Sequence, residues 1–110
     1  MSRARPCTAT ACLYSGRPDP QWQVPAAAVR GLRLLWQQLR ETKSSPPKPP
    51  PLGYRGCTLD CGEGARWFAY GGVVAMDDIF RLDPDRSFER LVLKSAPPGL
   101  IPPALFSELP

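Results

Sequence analysis

The sequence predicts an α+β fold: a small single domain in β-α-β-β-α order, with an antiparallel sheet of about three strands, two helices and a proline-rich C-terminal tail. Three observations lead there. Apolar residues recur at helical spacing between Val29 and Leu39, short apolar and aromatic runs between Tyr54 and Met76 are punctuated by glycine, and ten of the 15 prolines fall within 46–51 and 97–110. With 110 residues, 43% of them hydrophobic, the chain can bury one modest core. The expected layout is a basic arm over 1–7, a domain over 8–96 interrupted by a proline-rich linker at 43–53, and a tail over 97–110.

The first element is a strand. Thr8-Ala9-Thr10-Ala11-Cys12-Leu13-Tyr14 alternates and is rich in β-formers, and Ser15-Gly16 closes it. The next stretch, Ser15-Gly16-Arg17-Pro18-Asp19-Pro20-Gln21-Trp22, reads as a stiff corner, because Pro18 and Pro20 fix their own φ and push Arg17 and Asp19 toward extended backbone. Two roles fit it. Trp22 folds back on the coming helix and Arg17 pairs with Asp19, or Arg17 and Trp22 together form part of a partner-binding surface.

Pro25 suits the first turn of a helix, where a missing N–H costs nothing. Val29, Leu32, Leu35, Trp36 and Leu39 then form one apolar stripe, with Arg30, Arg33, Gln37 and Arg40 on the opposite face. The stripe should pack on the sheet. The arginines are either a solvated face or a docking surface for acidic groups.

Consecutive prolines from Pro46 stop the helix and favour polyproline II. Lys43, Pro46 and Pro49 satisfy a bare basic-x-x-Pro-x-x-Pro spacing of the kind SH3 domains read, although Ser45 and Lys48 stand where such ligands usually offer apolar contact. After the linker, Tyr54 to Leu59 and Arg66 to Tyr70 flank Asp60-Cys61-Gly62-Glu63-Gly64, so a β-hairpin is expected. Gly71-Gly72 reads as a bulge or bend before Val73-Val74-Ala75-Met76 resumes the strand. Asp83-Pro84-Asp85 resembles a helix cap and first turn, followed by Phe88, Leu91 and Val92 on one face.

Charge and cysteine use narrow the functional classes. Of the net +4, the first 43 residues hold Arg3, Arg5, Arg17, Arg30, Arg33, Arg40 and Lys43 against Asp19 and Glu41, so the acid-seeking surface lies in that part. The longest apolar runs are far shorter than the roughly 20 residues that span a bilayer, so no membrane insertion is expected. No apolar secretory segment opens the chain. Its arginine-rich start has some bias of a mitochondrial presequence, but Pro6 interrupts an amphipathic helix, so a cytoplasmic or nuclear setting is expected, with thiols reduced.

Cys7, Cys12, Cys57 and Cys61 could meet around a metal if the first strand lies beside the hairpin, but their spacings are looser than zinc knuckles, and four ordinary thiols is the primary expectation. The chain contains no histidine to activate a cysteine and no complete catalytic constellation, so no catalytic residue and no cofactor are assigned. Arg66-Trp67-Phe68-Ala69-Tyr70 resembles part of the third-strand signature of the RNA-recognition motif, which implies base stacking on Phe68 and Tyr70 beside Arg55 and Arg66. Trp67 replaces the signature glycine and prolines occupy the place of the fourth strand, so the family is not assigned. The leading expectation is a non-enzymatic protein-interaction module using Arg17, Trp22, Arg30, Arg33, Arg40, Pro46 and Pro49, with nucleic-acid binding as the alternative.

Overall fold

A computed structural model describes residues 6–13, 18–51, 53–107 and 109. Among the described residues the fold is α+β, with three helices and one antiparallel sheet. The sheet has seven strands rather than about three. In chain order the elements are β1 (Cys7–Ala11), β2 (Gln21–Val24), α1 (Ala26–Gln38), β3 (Glu41–Thr42), β4 (Cys57–Asp60), β5 (Arg66–Tyr70), β6 (Val73–Met76), β7 (Ile79–Leu82), α2 (Ser87–Lys94) and α3 (Ala104–Ser107). The strands lie side by side as β2-β1-β4-β5-β6-β7-β3.

The β-α-β-β-α expectation fails at turns too tight to separate the elements visibly in sequence. Gly71 and Gly72 have φ of 62° and 91°, positive at both central positions of a two-residue hairpin turn, so they reverse the chain instead of bulging it. Tyr70 and Val73 close that hairpin. Asp77, at φ 53°, helps make the next reversal, and β6 pairs with β7 from Val73↔Leu82 to Met76↔Ile79. A four-strand meander results.

The last two residues of the corner, Gln21 and Trp22, open a strand before α1. Its residues alternate, with Trp22 and Val24 buried and Gln21 and Gln23 exposed, and β2 pairs antiparallel with β1 from Cys7↔Val24 to Thr10↔Gln21. Pro20 and Pro25 bracket those four residues.

The main core lies on one face of the sheet. Ala9, Ala11, Trp22, Val24, Leu59, Trp67, Ala69 and Val74 meet Leu32 and Trp36 of α1 and Phe88, Val92 and Leu93 of α2. The apolar stripe of α1 packs as its spacing predicts, with Leu32 and Trp36 buried and Val29, Leu35 and Leu39 partly so. Trp36 meets Trp67 edge-on at 6.5 Å, and the Arg81 guanidinium lies 4.4 Å from the Trp36 ring centre while donating to the Trp36 carbonyl at 2.6 Å. These contacts fix the C-terminal half of α1 over the meander. Ile101 and Leu105, from the stretch beyond the 97–98 prolines, are buried in the same cluster.

The second helix starts at Ser87, later than its sequence signals suggest, but Asp83 still caps it. Asp83 is buried, its Oδ1 accepts the Phe88 N–H at 3.1 Å and its Oδ2 accepts the Glu89 N–H at 3.2 Å. Both bonds satisfy first-turn donors that the helix itself leaves unpaired. No helix among the described residues is long and apolar enough to cross a membrane.

Candidate interaction groove

A depression lies where the start of α1 leans over the ends of β1 and β2. It has a volume of about 640 Å³ and is lined by Pro6, Cys7, Gln23, Val24, Ala26, Val29, Arg30 and Arg33. Local sequence builds each wall. Pro25 ends β2 and opens α1, which turns Val29, Arg30 and Arg33 toward strands whose buried residues at this end are Cys7 and Val24. The floor is apolar, and exposed Gln23, Arg30 and Arg33 form the rim. Arg30 and Arg33 are three residues apart on one helix face, and both line the groove. The Arg33 guanidinium also sits 5.5 Å from the Trp67 ring centre, a contact that steadies it without using its N–H donors.

A disulfide lies beside the floor. Cys7 and Cys61 are bonded, with Cα atoms 4.1 Å apart, which corrects the expectation of four thiols. The reason is register. β1 and β4 pair from Thr8↔Asp60 to Ala11↔Cys57, and one further step along the ladder brings Cys7 opposite Cys61. The bond uses two of the four sulfurs that a metal site on Cys7, Cys12, Cys57 and Cys61 would need. Cys12 and Cys57 are the remaining thiols, and burial raises both pKa values above the ordinary thiol value. Protonated thiols are poor nucleophiles and poor metal ligands. No group of three or more potential metal ligands occurs among the described residues.

The remaining sequence-derived candidates scatter. Arg17 lies outside the described residues. Trp22 is buried and its Nε1–H donates to Ser95 Oγ at 2.9 Å, so it belongs to the core and presents no face to a partner. Asp19 accepts the Leu13 N–H at 2.9 Å and lies 3.9 Å from the Arg55 guanidinium, which ties the corner to the segment before β4. Arg40 is exposed but lines a different depression, beyond the end of α1, with Leu35, Leu39, Asp83 and Asp85. Pro46 and Pro49 are half-buried, and the Pro47 ring between them stands where a Cβ on Gly71 would lie.

The proposed stacking residues do not make an open aromatic platform. Tyr70 is buried with the Tyr54 ring 5.9 Å away, and the half-buried Phe68 ring lies against Gly56, whose φ of 102° and lack of a side chain permit the approach. Arg66 is exposed among Thr8, Thr10, Thr58 and Asp60, in a polar hollow.

A buried polar cluster was not legible in the sequence. Tyr54 donates its O–H to Glu89 Oε2, and Glu89 is fully buried with Oε1 lacking a hydrogen-bond partner. Burial pushes the Glu89 carboxyl up to about 7, and the Tyr54 bond opposes that rise. Burial, then the charges at Cys57 and Glu89, holds the Tyr54 phenol well above its ordinary value. Glu89, Tyr54 and Cys57 do not line the groove between α1 and the β1–β2 ends.

Gln23 and Val24 are groove residues that sequence reasoning missed. The signal was present in the polar-apolar alternation of Gln21-Trp22-Gln23-Val24 between two prolines. Searches against protein-family models, curated proteins and solved structures find no match for this chain.

Proposed function

We propose that the protein is a non-enzymatic interaction module that receives an acidic segment of a partner protein in the groove between α1 and the β1–β2 ends. The observation that carries this reading is the pairing of Arg30 and Arg33 on the rim with an apolar floor of Val24, Val29 and Ala26. Guanidinium groups match carboxylates with two parallel hydrogen bonds, and an apolar floor supplies desolvated contact area for a neighbouring aliphatic side chain. The positive balance of residues 1–43 favours encounter with such a segment from a distance.

A fluorescence-anisotropy titration tests the reading. The probe is a short labelled peptide in which every second residue is Glu or Val and the others are Thr, compared with the same peptide carrying Lys in place of Glu. The acidic peptide should bind, its affinity should fall as salt rises, and Arg30→Glu with Arg33→Glu should weaken it at least about tenfold. Equal binding of both peptides, or of the acidic peptide to the charge-reversed protein, would defeat the assignment.

A further inference from the structure

The groove opens beside a sheet edge whose backbone is turned outward. β2 is the outermost strand on its side of the sheet. The Ala11 N–H donates to the Pro20 carbonyl at 3.1 Å, and the antiparallel register then makes Pro20, Trp22 and Val24 the residues whose backbone groups face β1. By alternation, the N–H and C=O groups of Gln21 and Gln23 face away from the sheet. Both residues are exposed, and Gln23 also lines the groove.

Natural sheets usually guard such an edge with an inward charge, a proline within the strand or a bulge. β2 has none of these. Its four residues are Gln, Trp, Gln and Val, and the flanking prolines limit its length without blocking its outward groups. On the sheet face that carries α1, the space next to this edge continues into the groove rimmed by Arg30 and Arg33.

We infer that the acidic partner segment binds by adding to the sheet as an eighth strand along β2, an inference that rests on the proposed function. Its backbone pairs with the outward groups of Gln21 and Gln23. Its alternate side chains on the helix side enter the groove, where carboxylates meet Arg30 and Arg33 and aliphatic groups meet Val24 and Val29. This is strand addition, in which main-chain bonds give affinity and alternate side chains give selectivity. The pairing selects an extended acidic segment and disfavours a helical one, because a helix has no unpaired backbone groups along its length to offer.

The same Glu/Val/Thr peptide tests strand addition, with hydrogen exchange read at single amides. On saturation, exchange at Gln21 and Gln23 should slow by at least about tenfold, while Trp22 and Val24, already bonded within the sheet, change much less. Gln23→Pro removes one outward N–H at an edge position where proline is tolerated, and should weaken binding at least about tenfold. A peptide N-methylated at alternate residues makes the same test from the other side on the unaltered protein, and one of its two methylation registers should fail to bind.

The outcomes separate the two ideas. Binding that depends on Arg30 and Arg33 but leaves Gln21 and Gln23 unprotected, and tolerates both methylation registers, would overturn strand addition while leaving the groove as the docking site. Absence of binding by the acidic peptide would overturn both.

Discussion

The two edges of the sheet are built differently. At one end, β2 runs for four uncharged residues, is held from behind by Trp22 and Val24 in the core, and borders a groove. At the other, β3 is only two residues long, pairs Glu41 with Arg81 and Thr42 with Phe80, and is flanked by exposed Arg40 and Lys43. Short length and flanking charge are the usual protections of an edge. Openness of an edge is thus a property of its sequence, and among the described residues β3 carries more of these protections than β2.

If β2 is the more firmly anchored edge as well as the more open one, truncating its anchor should have the largest effect. Trp22→Ala removes a buried aromatic and its bond to Ser95, and should cost about 3–5 kcal/mol in chemical denaturation. Thr42→Ala at the other edge should cost less than about 0.5 kcal/mol. Equal costs would erase the distinction.

Next in size is the disulfide. Cys7–Cys61 closes a separation of 54 residues on the β2 side, and its removal by Cys7→Ser with Cys61→Ser should cost about 2–5 kcal/mol. Amide exchange should then quicken more in β2 than in β3, and the opposite order would contradict the account of the anchored edge.

Glu89 supplies a term that should move both edges together. Its carboxyl ionises near 7 in the folded chain against 4.5 for the ordinary group, so the unfolded chain loses that proton first as pH rises. Stability from this group is therefore full below about 4.5, declines as pH rises toward 7 and stays low above it, a span of roughly 3 kcal/mol at most. Tyr54 and Cys57 on the sheet side, and Asp83, Arg86 and Arg90 around α2, are the titratable and charged groups that set this balance. Glu89→Gln should flatten the pH profile and stabilise the protein at pH 8 relative to wild type. A wild-type profile that rises between pH 5 and 8 for the same group would reverse the sign.

The smallest stability effect should come from the groove rim. Arg30→Ala is an exposed helical substitution and should shift stability by no more than about 0.5 kcal/mol, although it weakens peptide binding. A large loss of stability would mean that Arg30 is a structural residue.

Local patterns were readable and cross-strand relations were not. The stripe from Val29 to Leu39, the start of α1 after Pro25 and the hairpin around Gly62 follow from periodicity and turn chemistry alone. Gly71-Gly72 was ambiguous, because two glycines serve either a bulge or a tight reversal, and only pairing partners distinguish them. The Cys7–Cys61 bond depends on β1 lying beside β4, a neighbour relation between strands far apart in sequence. Glu89 carries no sequence signal of burial, because the Tyr54 hydroxyl that bonds it comes from 35 positions away. For the site, the basic helix face was legible, but the groove needed β2 to be recognised as an edge strand, and the prolines around it read as a corner.

The most direct test is a titration of isotopically labelled protein with the acidic Glu/Val/Thr peptide, followed by amide chemical shifts. Peaks of Gln21, Gln23, Val29, Arg30 and Arg33 should move together along one saturation curve, while those of Glu41 and Thr42 stay in place. Shifts centred on β3, or on Arg55, Arg66 and Phe68 across the opposite sheet face, would contradict the assignment of β2 and its groove as the docking edge.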